Sequence, residues 1–321
     1  MFFNILAIFL GLFLLIVGAE LLVRGASNIA KKFHIPEILI GLTIVALGTS
    51  MPELFITVKS ASQGVTDLIV GNAIGSDLCN LLFILGIMAI IKPINVQKET
   101  KKFHIPIVFM STLLILGVST GILTNQSNII GFKTGILLIV LFILYIFYPI
   151  VLDRKRIVEE YYKEKESKEK NVKNFLLQIA KIAIGIVLLK VGGELVVGYA
   201  SIVAKNYGIS ERLIGLTIVA MGTSLPELVT SIVATINGDA DIAVGNLIGS
   251  SVLNLLLILG IGSIITSIEI SKEFIANLLL LAFTNALIWL FCYIPKKNII
   301  TRIKGFSLVT IFIVYVISLL K

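Results

Sequence analysis

Charge is scarce in this chain. Only 14% of its 321 residues are Asp, Glu, Lys or Arg, where a soluble domain carries about 25%, and that shortage excludes an ordinary water-soluble globule. Two cysteines, Cys79 and Cys292, both set in apolar runs, are too few for a disulfide framework. Histidine is as rare: His34 and His104 stand alone at expected helix ends, where they read as interfacial residues. No H-E-x-x-H or nucleophile–base constellation can be assembled from so few, which argues against an enzyme. Basic residues exceed acidic ones by eight, but they form no aromatic-interleaved patch of the kind that binds nucleic acid.

What fills the chain instead is hydrocarbon. Hydrophobic residues make up 57% and the mean hydropathy is +1.03, the signature of a polytopic, all-α membrane protein. Cutting at bilayer length gives ten spans, near 2–23, 37–61, 67–91, 104–123, 129–152, 174–199, 211–236, 241–266, 274–294 and 303–320. The first resembles a signal peptide in length, but it lacks a basic leader and contains Glu20, so it reads as a permanent span. One strongly polar stretch, DRKRIVEEYYKEKESKEKNVK at 153–173, reads as a solvated linker or short surface helix. It separates a first five-helix repeat, 1–152, from a second, 174–321.

The two halves match. At an offset of 174 residues, HIPEILIGLTIVALGTSMPEL (34–54) meets GISERLIGLTIVAMGTSLPEL (208–228) with 16 of 21 positions identical. GNAIGSDLCNLLFILGI (71–87) meets GNLIGSSVLNLLLILGI (245–261) with 12 of 17. Glu20 falls on Glu194, Glu53 on Glu227 and Asn80 on Asn254. Identity concentrated in two pairs of helices indicates a shared task rather than common descent alone.

Five crossings leave a chain on the opposite face, so the second repeat is inserted upside down relative to the first. Nineteen Lys and Arg gather at the loop ends on the linker's side against six on the other. The positive-inside rule then makes the linker cytoplasmic and sends both termini outward, in a plasma membrane.

A carboxylate at the bilayer centre costs about 3 kcal/mol or more unless it is paired, hydrated or bound to a cation. Glu53 and Glu227 each lie in such a place, directly behind Pro52 and Pro226. The prolines remove backbone donors and Gly48 and Gly222 ease unwinding, so freed carbonyls are expected there, with the hydroxyls of Thr49, Ser50, Thr223 and Ser224 in the same turns. Ser76 and Asn80 share a face of the next helix, as do Ser250 and Asn254. All of these are hard oxygen donors, suited to Ca²⁺ and Na⁺ rather than to zinc or copper. Two G-x-x-x-G spacings, Gly71/Gly75 and Gly245/Gly249, are expected to let helices cross closely. Glu20 and Glu194 stand four residues from Arg24 and Lys190 and are expected to form ion pairs.

The paired GTSMPE and GTSLPE, each followed by GNAIGSDLCN or GNLIGSSVLN, resemble the two α-repeats of the cation/Ca²⁺ antiporter superfamily, specifically its Na⁺/Ca²⁺ exchangers. That resemblance implies a ten-helix inverted fold, broken helices at its centre, and secondary-active exchange of Ca²⁺ for Na⁺ by alternating access. It also implies cation ligands at Glu53, Glu227, Thr49, Thr223, Ser50, Ser224, Ser76 and Ser250, with carbonyls of Ala46 and Ala220, and Asn80 and Asn254 lining the cavity. The ions are substrates; no cofactor and no obligate protein partner is implied. Some relatives, K⁺-dependent ones included, carry Asp where this chain has Asn254. Two neutral amides leave about two negative charges, enough for Ca²⁺ but not for Ca²⁺ with K⁺, so exchange is expected to be K⁺-independent. With more than two Na⁺ per Ca²⁺ it would be electrogenic. H⁺/Ca²⁺ exchange within the same superfamily is the alternative, and a cation channel lined by the same oxygens would differ in lacking strict counter-ion exchange.

Overall fold

The computed structural model describes residues 2–33, 35–123, 128–164, 172–208, 220–294 and 298–319. The described chain is almost wholly helical. In the first half α1 is Phe2–Phe33, α2 and α3 are Glu37–Thr49 and Met51–Ser62, α4 is Thr66–Ile91, α5 is Thr100–Ser119 and α6 is Phe132–Glu164. Their counterparts are α7 (Val172–Asn206), α8 (Ala220–Gly222) with α9 (Leu225–Asn237), α10 (Ala240–Ile265), α11 (Lys272–Phe291) and α12 (Arg302–Leu319). Among the described residues seven helices are individually long and apolar enough to cross a membrane, and the bent pair α2–α3 makes an eighth. The expected fifth and seventh spans fall on α6, whose apolar stretch is Phe132–Tyr148, and on α8–α9; residues 209–219 and His34 lie outside the described residues.

Two expectations about boundaries change. The first helix does not stop at Val23 but runs on to Phe33 with Arg24, Lys31 and Lys32 still helical. The polar stretch after residue 152 continues α6 as helix to Glu164, while 165–171 lie outside the described residues.

Layering follows from which helices can afford to face lipid. In α4 and α10, 72% and 78% of the most apolar window is buried, against 33% and 28% in α1 and α7. The helices α4 and α10, which carry the repeated GN motif, are thus the core, and α1 and α7 form an antiparallel outer pair. That pair is held by a seam of glycine. A Cβ at Gly11 would lie 2.8 Å from the Gly192 carbonyl, and one at Gly18 would lie 2.9 Å from the Gly185 carbonyl. Backbones this close gain dispersion along their length, the main attraction left to helices in hydrocarbon. Likewise Gly245 and Gly249 press α10 onto α2, each with a would-be Cβ 2.6 Å from a backbone oxygen of Ile38 or Leu42. A Cβ at Gly71 would only touch the Phe274 ring, at 3.5 Å.

At the two rims, short ribbons tie the halves together. β1 (Ile94–Asn95) pairs with β4 (Ile299–Ile300), and β2 (Ile129–Ile130) pairs with β3 (Ile268–Glu269), both antiparallel. Each ribbon takes one strand from each half. The correspondence extends to single bonds: Val96 N–H donates to the Asn298 carbonyl at 2.7 Å, and Ile270 N–H donates to the Asn128 carbonyl at 2.8 Å. Among the described residues, Asn128 and Asn298 are also the two non-glycine residues of positive φ, at 66° and 61°, a conformation asparagine tolerates better than most side chains.

Candidate cation-binding site

The chain breaks where the prolines stand. Between α2 and α3 the axis bends by 50°, with Ser50 at φ −86°, ψ 9°. Ser224, between α8 and α9, takes almost the same values, φ −87°, ψ 6°. Both serines occupy N-cap positions, yet neither uses its hydroxyl to cap the helix behind it, as such residues ordinarily do. Ser50 instead donates to Glu227 Oε1 at 2.9 Å, across the boundary between the repeats, and also reaches Ser250 Oγ at 3.0 Å.

The two glutamates therefore meet. Glu53 and Glu227 are each only 1% exposed and close enough for Glu227 to act on the Glu53 charge. Ser76 Oγ approaches Glu53 Oε1 at 3.5 Å, Thr223 also interacts with Glu53, and Thr49 and Ser250 interact with Glu227. Oε2 of both glutamates is buried without a hydrogen-bond partner. An orphaned carboxylate oxygen in a fully buried site is expensive, and a cation between the two would satisfy both.

The amides sit one helical turn deeper. Asn80 and Asn254 lie in widened π turns, Cys79–Ile84 in α4 and Leu253–Ile258 in α10. Such turns recur at functional sites because they shift side chains out of helical register. Both amides are 1% exposed, and both Oδ1 atoms lack partners.

Of the twelve residues expected from sequence, ten side chains are described at this crossing: Glu53, Glu227, Thr49, Thr223, Ser50, Ser224, Ser76, Ser250, Asn80 and Asn254. Ala220 is described in backbone only, opening α8. The Ala46 carbonyl accepts the Ser50 N–H at 2.9 Å and Thr49 Oγ1 at 3.3 Å. The carbonyl that loses its helical donor to Pro52 is that of Gly48, four residues back.

Two neighbours escaped the sequence reading. Asn246 links the broken helices to α10, accepting from Thr49 Oγ1 at 3.0 Å and donating to Ser231 Oγ at 3.0 Å. Its counterpart Asn72 donates to the Glu53 carbonyl at 3.2 Å. Both belong to the repeated GN motif, so the duplication was the available signal. Asp77 is fully buried and accepts from Asn254 Nδ2 at 2.9 Å, which adds a third carboxyl to the two counted from sequence. His104, at the start of α5, is buried in the protein: it is 3% exposed and its Nδ1 pairs with Tyr145 Oη at 3.0 Å. Glu20 does pair with Arg24, but among the described residues Lys190 and Glu194 form no ion pair, and Lys190 lies over the Phe55 ring instead.

Two half-sites of matching residues, facing each other at one buried point, call for comparison with proteins of known fold. The model of the family described as sodium/calcium exchanger protein matches residues 3–151 and again 177–321. This chain belongs to that family. Among the exchanger's relatives is the putative antiporter CaxA of Alkalimonas amylolytica, 35% identical over 96% of each chain. Sodium/calcium exchanger MaX1 of Methanosarcina acetivorans is 28% identical over 84% of this chain and 85% of its own. A solved structure of the sodium-calcium exchanger NCX_Mj superposes with a TM-score of 0.82 at 30% identity, covering 98% of each chain. The family and its solved members are transporters, not enzymes, and the polytopic membrane fold with two helical repeats agrees with them.

Proposed function

We propose that this exchanger carries Ca²⁺ in one direction and Na⁺ in the other, with Glu53 and Glu227 as the charges both ions compete for. The observation that carries this is the reciprocal geometry of two buried glutamates, each with one unpartnered oxygen and with hydroxyls supplied from both repeats. Thr49, Thr223, Ser50, Ser224, Ser76 and Ser250 complete the oxygen set, carbonyls of Ala46 and Ala220 add to it, and Asn80 and Asn254 line its floor. Hard ligands of this kind bind Ca²⁺ and Na⁺ at overlapping positions. Each half then serves as the gate of one access path, and the ions pass by alternating access around a fixed midplane site.

Exchange is electrogenic on this reading, with more than two Na⁺ per Ca²⁺, and independent of K⁺. The neutral amides at 80 and 254 support the K⁺ clause, and one oxygen of the third carboxyl, Asp77, is engaged by Asn254. The protein lies in the plasma membrane with the linker inside and both termini outside. In that orientation the ribbon β1–β4 sits on the cytoplasmic rim and β2–β3 on the outer one. The two five-helix repeats, 1–152 and 174–321, are its units, joined by the linker 153–173.

Proteoliposomes loaded with Na⁺ should accumulate ⁴⁵Ca²⁺, and faster when valinomycin and a K⁺ gradient make the lumen negative, since each charge is worth about 2.3 kcal/mol per 100 mV. Uptake indifferent to voltage would mean two-for-one exchange. Uptake driven as well by a proton gradient without Na⁺ would replace the Na⁺ reading with H⁺/Ca²⁺ exchange.

A further inference from the structure

Resting on that reading of the site, we infer that Asp77 is a positioning residue: it fixes the amide of Asn254 so that the carbonyl oxygen, not the NH₂ group, faces the cation cavity. The repeats differ here. Asp77 in α4 corresponds to Ser251 in α10, and both are fully buried. Asn254 Nδ2 donates to Asp77 Oδ1 at 2.9 Å. An amide held by that bond must turn its Oδ1 the opposite way, and that Oδ1 is buried with no partner.

The related amide has no such anchor. A hydroxyl stands where its carboxyl would be: Asn80 Oδ1 is buried and unpartnered, and Ser251 interacts with Asp77 rather than with Asn80. A hydroxyl can donate or accept, so it dictates neither orientation of the Asn80 amide. Packing alone does not explain why position 77 carries a carboxyl. Serine fills the equivalent space at 251, and a buried carboxyl costs several kcal/mol more than a hydroxyl unless it makes a bond the site needs. The bond that orients an amide is the one to Asn254, with the Ser251 hydroxyl interacting beside it.

The test is a swap. In Asp77→Asn the new amide can itself donate to Asn254, so the Asn254 carbonyl is no longer held toward the cavity. In the double variant Asp77→Asn/Asn254→Asp, residue 77 donates to the carboxyl now at 254, whose second oxygen again faces the cavity. Ca²⁺ half-saturation is read in two ways, from Na⁺-driven ⁴⁵Ca²⁺ uptake in proteoliposomes and from the Ca²⁺-dependent rise in thermal stability of the purified protein. Asp77→Asn should raise half-saturation about tenfold, as loss of one charge-assisted bond would, with the maximal uptake rate held within about twofold. The swap should return half-saturation to within about threefold of wild type, and Asn254→Asp alone, which sets two carboxyls together, should not.

Unchanged half-saturation in Asp77→Asn, or a swap no better than that single change, overturns the inference. So does aggregation of both variants, which would make the pair a folding requirement only. A wild-type K⁺ activation that Asp77→Asn removes would make Asp77 a cation ligand instead. If wild type shows no Na⁺-driven uptake while the thermal half-saturation moves as stated, the exchange reading falls and the positioning role stands.

Discussion

The two halves of this exchanger share their site motifs but not their contacts. In one direction the bridge is closed: Ser50 of the first half donates to Glu227 of the second at 2.9 Å. In the other, Ser224 makes no such bond to Glu53 and interacts with Cys79 instead. Thr49 is fully buried and bonded to Asn246, while Thr223 is half-buried and turned to Glu53. Asn246 grips side chains, and Asn72 grips backbone. On the alternating-access reading proposed above, residues of like sequence in unlike surroundings mark one member of a pair of interchangeable states. A mirrored state, with Ser224 closed on Glu53 and Ser50 released, would contain the same bonds redistributed, and a ligand shifts such an equilibrium only through its differential affinity.

Seven substitutions, in four sets, test how deep that asymmetry goes. The largest effect belongs to Glu53→Gln and Glu227→Gln, which keep volume but halve the charge offered to a divalent ion. Uptake of ⁴⁵Ca²⁺ at subsaturating Ca²⁺ should fall about a hundredfold or more in each, because a buried charge left without its counterpart costs about 2–5 kcal/mol. Near-normal exchange in both would remove the site. Next come the packing glycines. Gly249→Ala drives a methyl into the Leu42 backbone at 2.6 Å and should cost about 1–3 kcal/mol, seen as a lower melting temperature in detergent. Gly75→Ala, where no described atom lies within 4 Å of the new carbon, should melt like wild type; equal losses would mean that the helices exchange places in the resting protein.

Ser50→Ala should weaken Ca²⁺ half-saturation about three- to tenfold by deleting a bond to a charged group, and Ser224→Ala by less. Equal effects would show that the closed and mirrored states are populated alike. The smallest change is expected from Glu20→Gln. Its ion pair with Arg24 is largely exposed, with Arg24 67% accessible, and such pairs contribute about 0–1 kcal/mol, so exchange should stay within about twofold of wild type.

How far the sequence could be read depended on the range of the interaction. Duplicated motifs and intramembrane acids are local in the chain, and they located the crossing of α2–α3, α4, α8–α9 and α10. The π turns around Asn80 and Asn254 left no trace in composition, because one extra residue per turn is chosen by packing, not by residue type. The seam Gly11, Gly18, Gly185 and Gly192 rests on a seven-residue spacing, two helical turns, that carries no G-x-x-x-G signature. His104 looked interfacial from its place at a helix end; its partner Tyr145 is 41 residues away and invisible to any window. Asp77 broke the repeat openly, yet its meaning required knowing that Asn254 stood opposite.

The crossed ribbons have a consequence for ancestry. Each rim of the molecule joins a strand from one half to a strand from the other, Ile94 with Ile300 and Ile130 with Ile268, and the Ser50–Glu227 bridge crosses in the same way. A lone half, as it stood before the duplication, would have met none of these needs by itself. It would have required a second copy, packed the other way up, to pair its rim strands and close the bridge.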